Sequence, residues 1–206
     1  MVETDSVSGG SLAEMSADEL KAWFEKSFSE TKEQLESEKT PRLSIMVTKG
    51  TLDWAYPPFI IASTAAALGW KADLFFTFYG LALLKKDLKP HISPLGNPAM
   101  PMKMPFGPEW FQGIEWNKPN LLMAGVPGFE GMATSLMKMT VKNHGVATIP
   151  ELRDLCIEAE VNLVACQMTV DLFGWTKEEF IPEVSEWAGA ATYITNAQGA
   201  DITLFV

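Results

Sequence analysis

Short apolar runs alternate with amphipathic stretches along most of this chain, and each pattern predicts its own kind of element. Residues 43–48 (LSIMVT), 72–78, 120–126, 161–165 and 202–206 are apolar runs of strand length, as expected of buried strands. Helical spacing separates them. Ser16 and Glu19 form a capping-box pair ahead of Leu20, Trp23, Phe24, Phe28 and Leu35, which predicts a helix that Pro41 ends. Residues 54–68 are Ala-rich and closed by Gly69, a buried helix in spite of Pro57 and Pro58 in its opening turns. A helix is expected over 80–86, and Met132, Leu136 and Met139 mark one face of another that stops near Gly145. Thr148 and Glu151 form a second capping box opening a helix to about residue 160, Thr176 and Glu179 repeat the box, and a last helix falls at 189–198.

Strands alternating with helices imply right-handed βαβ crossovers. The expected fold class is therefore α/β, a mostly parallel five-stranded sheet with helices on both faces, preceded by the N-terminal amphipathic helix. Two domains follow: a mobile N-terminus with the acidic helix over 1–41, and the α/β domain over 42–206. Between residues 87 and 117 the pattern dissolves into proline, glycine and methionine, and a structureless stretch of that length inside a domain is usually functional or mobile.

Charge narrows the partners. The net charge of −10 argues against phosphate backbones and anionic membranes, so no nucleic acid and no membrane are expected. Residues 1–40 hold ten carboxylates against four lysines, a net −6, so the remaining body is only mildly acidic. The longest apolar stretch, 59–70, includes Ser63 and Thr64 and falls short of the roughly 20 residues a spanning helix needs. The acidic first forty residues carry no secretory pattern. Two cysteines without C-x-x-C, and two histidines without a zinc spacing, suit a reducing, cytoplasmic setting with no metal.

The candidate chemistry centres on VNLVACQMTVDLFG, residues 161–174, where Cys166 ends an apolar run and a short helical pattern follows. The first turn of a helix offers unpaired N–H groups and a positive dipole end, which favour a thiolate, so Cys166 is a candidate nucleophile. The alternative is a small buried apolar residue. Cys156 shares a helical face with Leu152, Leu155 and Ala159, which makes it a core residue or else an accessory thiol. Helix and strand geometry put the two sulfurs too far apart for a disulfide. Lys49, Lys85, Lys86 and Lys103 fall in or near segments leaving strand ends; an ammonium beside Cys166 would lower its pKa, and solvated surface lysines are the other reading. Met100, Met102 and Met104, with Trp110 and Trp116, form either an adaptable mouth for a partner or packing under a long loop. Gly125, Gly128 and Gly131 are spaced G-x-x-G-x-x-G with no Walker lysine, which argues against a phosphate cradle.

LVACQMTVDLFG, together with FFTFYGLALLKK, GNPAMPMKMP, PGFEGMATSLMK and the ending ADITLFV, resembles the DsrE/DsrF/DsrH-like sulfurtransferases, in the branch associated with peroxiredoxin-like naming. The resemblance covers about residues 42–206. It implies a Rossmann-like subunit that forms homo-oligomers, needs no cofactor, and takes up sulfane sulfur as a persulfide on Cys166. The acceptor it implies is a TusA-type sulfur carrier protein or a sulfur-metabolising enzyme complex. Two further functions stay open: a peroxiredoxin-like or thiol-disulfide oxidoreductase, and a noncatalytic oligomeric binding or scaffold module.

Overall fold

In the computed structural model, residues 16–92, 103–114 and 125–206 are described. The chain divides into two units, Met1–Thr40 and Pro41–Val206. The first is built on α1 (Ala17–Glu38), opened by the Ser16 and Glu19 capping box with both reciprocal bonds formed. On α1 the exposed rings of Phe24 and Phe28 stack 6.2 Å apart. The expected mobile tail over residues 1–11 lies outside the described residues.

Among its described residues the second unit forms a five-stranded sheet, every pair of it parallel, in the order β4-β3-β2-β1-β5. Its strands are β1 (Arg42–Val47), β2 (Lys71–Phe76), β3 (Asn162–Cys166), β4 (Glu186–Ala188) and β5 (Ile202–Phe205). Four match expected apolar runs. The expected run at 120–126 lies mostly outside the described residues, and its last two, Gly125 and Val126, are in a turn. The fifth strand is β4, three residues that pair with the end of β3. The expected 72–78 strand ends early, because Phe78 takes a positive φ of 46° and begins a 3₁₀ helix, Phe78–Leu84, where an α-helix over 80–86 was expected.

One face of the sheet is thickly covered. Leu43, Ile45 and Val47 of β1, Leu74 and Phe76 of β2, and Leu163 and Ala165 of β3 all point into the main core. Over them lies α2 (Leu52–Ala67), which buries Leu52, Ala55, Phe59 and Ala62 and runs through Pro57 and Pro58 without ending. A proline inside a helix costs about 3 kcal/mol, so burial rather than propensity holds α2. Beside it runs α5 (Ile149–Glu158), started by the Thr148 and Glu151 capping box. The short α3 (Glu109–Gln112) and the longer α4 (Phe129–Asn143) precede α5 in the chain. Because side chains alternate along a strand, the other face takes Met46, Phe75, Val164 and Cys166. It is covered by Tyr193 of α7 (Ala190–Gln198), whose ring meets Phe75 at 5.2 Å.

Two devices pin the sheet at opposite ends. At the amino ends of the strands, Asp73 takes Arg42 Nε at 2.7 Å and the Asn162 amide at 2.9 Å, tying β1, β2 and β3 together. At the carboxyl ends the loops after β1 and β2 lie against each other: a Cβ on Gly80 would fall on the Val47 carbonyl, and one on Gly50 would fall on that of Tyr79. Only glycine fits at either position.

Candidate functional site

Cys166 is the last residue of β3 and also the N-cap of α6 (Gln167–Phe173), with φ −73° and ψ 106°. Apolar neighbours explain why the chain reaches this point as a strand. Leu163 and Ala165 anchor in the main core, so Val164 and Cys166 must face the other way, against Phe75, Ala188 and the partly buried Met46 and Tyr193. Cys166 pairs in register with Ala188 of β4 and is 4% exposed. It therefore lies where the sequence put it, at the carboxyl edge of a parallel sheet, where α/β folds place their ligands. Its thiol is covered in this state.

The turn that carries it is held from two sides. The hydroxyls of Thr77 and Thr169 lie 3.2 Å apart and buried, and the Phe78 N–H donates to Thr169 Oγ1 at 3.4 Å. This ties the exit of β2 to the first turn of α6, with the strained Phe78 between them. At its far end α6 closes on Gly174, whose φ of 66° suits glycine, and the Trp175 N–H returns to the Val170 carbonyl at 3.1 Å. From there rings follow one another: Tyr79 to Phe173 at 5.8 Å, Phe173 to Trp175 at 4.8 Å, Trp175 to Phe180 at 6.0 Å and Phe180 to Trp187 at 5.2 Å. Four apolar side chains remain exposed on the elements that meet at this turn, Phe78 and Tyr79 after β2 and Met168 and Leu172 on α6.

The other expected site residues are dispersed. Cys156 is fully buried in the main core, on the opposite face of the sheet from Cys166, with its Sγ 3.5 Å from the Phe59 carbonyl oxygen. Burial pushes its thiol from 9.0 up to about 12. It gives Cys166 neither a resolving thiol nor an accessory one on the same face. Lys49 is exposed at the exit of β1, with its ammonium 3.2 Å from the centre of the Trp54 ring. Lys85 pairs with Glu179 at 3.0 Å and covers Trp175 at 3.8 Å, and Lys86 Nζ donates to the Glu178 carbonyl at 2.7 Å. These three ammonium groups thus serve other partners. Lys103 is exposed and Met104 half-buried on the stretch 103–114, while Met100, Met102 and Trp116 lie outside the described residues. No group of three or more His, Cys, Asp or Glu side chains that could hold a metal occurs among the described residues.

Sequence reasoning missed Thr77, Thr169 and Phe78. A signal for the threonines existed: each is a lone hydroxyl in an apolar setting, Thr77 within FFTF and Thr169 three residues past the cysteine. Buried hydroxyls need partners, and each is the other's. The positive φ of Phe78 had no signal, since bulky residues rarely adopt it.

Residues 39–205 match the family model described as DsrE/DsrF/DrsH-like. Over 165 residues the chain is 54% identical to the sulfur carrier protein DsrE2 of Allochromatium vinosum, covering 80% of this chain and 98% of that protein. It is 31% identical over 170 residues to YrkE of Bacillus subtilis, an uncharacterized protein, covering 82% of this chain and 99% of the relative. Among solved structures, ychN of E. coli aligns at a TM-score of 0.45 and 10% identity, over 81% of this chain and all of that one.

Proposed function

The chain belongs to the DsrE/DsrF/DrsH-like family, and from that premise we propose that it carries sulfane sulfur as a persulfide on Cys166 and passes it to the thiol of a partner protein. The observation that carries this reading is the placement of Cys166 at the carboxyl edge of the sheet, on the N-cap of α6 and inside the matched residues. The Cys166 thiolate attacks the outer sulfur of a donor persulfide. A new S–S bond forms, the donor's S–S bond breaks, and the donor leaves as a thiolate. Delivery is the same step reversed in role: an acceptor thiolate attacks the outer sulfur and Cys166 leaves as thiolate. One S–S bond forms for each that breaks, so the transfer needs no electron acceptor and no cofactor.

A thiol that is 4% exposed must be uncovered before a protein partner can reach it. The exposed Phe78, Tyr79, Met168 and Leu172 give a partner an apolar landing surface beside the turn. A TusA-type carrier or a sulfur-metabolising enzyme complex would supply that partner. We further propose a homo-oligomer in a reducing cytoplasm. Exposed apolar residues on both sheet faces support the assembly, Ile202 on one and Phe205 on the other. No helix among the described residues is long and apolar enough to cross a membrane.

Intact mass spectrometry after incubation with polysulfide or thiosulfate tests the carrier. The wild type and Cys156→Ser gain about one sulfur atom that dithiothreitol removes, and Cys166→Ser gains none. The burial of Cys166 favours one other reading, a noncatalytic binding module with an inert thiol. No gain in any form, together with slow and equal alkylation of both cysteines, would establish that module instead. A peroxiredoxin-like or thiol-disulfide cycle would need a resolving thiol from another molecule, since Cys156 faces the main core.

A further inference from the structure

A cavity opens at the same carboxyl edge of the sheet but on the thickly covered face, away from Cys166. It measures about 320 Å³ and lies among the first turns of α2 and α5 and the last turns of α4. Its walls include Leu52 and Tyr56 of α2, Ile149 of α5 and Val141 of α4; Leu52 and Ile149 are also members of the main core. The size is at the lower end of the roughly 300–1,000 Å³ of small-molecule sites, and the lining is mostly apolar with a few polar groups, as such sites are.

The charged groups of the lining are of one sign. Lys138 and Lys142 line the cavity from either side of Val141, four residues apart on α4. Neither ammonium has a hydrogen-bond or ion-pair partner among the described residues. Like charges at that spacing work against a helix, and they recur here in a chain of net charge −10. No acid is among the lining residues. Two acids open the lining helices: Asp53 lies in the first turn of α2, and the Glu151 carboxylate of α5 accepts the Thr148 N–H at 2.7 Å and bonds the Thr148 hydroxyl at 2.9 Å. The Glu151 charge reaches as far as Tyr56, whose phenol pKa is raised by burial and then by Glu151, but within the lining itself the lysine pair is the only charge.

We propose that this cavity binds a small amphiphilic anion, an apolar chain or ring against Leu52, Val141 and Ile149 with a carboxylate or equivalent head at Lys138 and Lys142. A bare inorganic anion would leave the apolar walls unfilled, and a neutral apolar ligand would leave the lysine pair unused. The site is separate from Cys166 and stands whether or not that residue carries sulfur.

Isothermal titration of the full chain with decanoate, below its micellar concentration, tests the assignment. Decanoate binds saturably with one site per chain, and acetate and decyltrimethylammonium bind at least about tenfold more weakly. Lys138→Gln with Lys142→Gln, at exposed helix positions where the fold tolerates glutamine, weakens decanoate by about tenfold or more. Val141→Trp, which fills the cavity, removes binding while circular dichroism stays unchanged. Absence of saturable binding, equal affinity for acetate, or undiminished binding to the glutamine pair would each overturn the proposal. Should Val141→Trp fail to fold, the glutamine pair decides alone.

Discussion

Cys156 and Cys166 lie on opposite faces of one sheet, under covers of very different thickness. Cys156 is carried by α5 and sealed against α2, in a core where Phe59 and Phe76 meet at 5.9 Å and both are fully buried. Cys166 lies under a thin layer whose main ring, Tyr193, is itself only partly buried. Both thiols are inaccessible in the resting structure, but for different reasons. Uncovering Cys156 requires disrupting the main core, whereas uncovering Cys166 requires moving a few side chains at the end of a strand. Burial percentage alone therefore does not tell an inert cysteine from a reactive one; the number of elements that must move does.

Reactivity gives the largest expected contrast. At pH 8 in the native state, iodoacetamide labels Cys166 at least about a hundredfold faster than Cys156, and in 6 M guanidinium the two rates converge. Peptide mapping by mass spectrometry reads both, and equal native rates would erase the comparison. Next comes the weight of each layer. Phe59→Ala costs about 3–5 kcal/mol of unfolding free energy, and Tyr193→Ala about 1–2, measured by urea titration. A Tyr193 cost matching that of Phe59 would mean that the thin face is structural core after all.

The third contrast is with pH. Cys156 loses its proton near 9 when unfolded and near 12 when folded, so above pH 9 the unfolded state binds fewer protons than the native one. Stability is then lost as pH rises. The loss attributable to Cys156 is about 1.4 kcal/mol between pH 8 and pH 10, and Cys156→Ala abolishes that part of the slope. Parallel pH profiles for the wild type and Cys156→Ala would contradict it. An effect of similar size is expected at the tie beside Cys166. Thr169→Val leaves the Thr77 hydroxyl and the Phe78 N–H without their partner and costs about 1–2 kcal/mol. It also raises the alkylation rate of Cys166, because the turn loosens; a stability loss with no change in labelling would separate the tie from the site.

Four strands and most helices were legible because their signals are local. Apolar runs too short for helices mark β1, β2, β3 and β5, and the capping boxes at Ser16, Thr148 and Thr176 form as the sequence implies. The box at Thr176 opens only a three-residue 3₁₀ helix, Lys177–Glu179, since Pro182 follows closely and biases Ile181 away from helical backbone. β4 was not legible. Its three residues, Glu186, Trp187 and Ala188, have no run to announce them and become a strand only because the end of β3 offers an open edge. The position of Cys166 at a strand end could be read, and its burial could not, because Ala188 and Tyr193 arrive from distant parts of the chain.

By itself the sequence determined the alternation of strands and helices, the parallel sheet that follows from it, and the residue at which β3 gives way to α6. Periodicity and capping are properties of neighbouring residues, so no fold is needed to read them. The tertiary structure alone decided which face each thiol occupies and how much lies over it. It also decided that Lys49, Lys85 and Lys86 turn to rings, a carboxylate and a carbonyl rather than to Cys166. A side chain reaches in whichever direction its partners lie, and those partners are set by strand order and register, which the chain acquires only when it closes on itself.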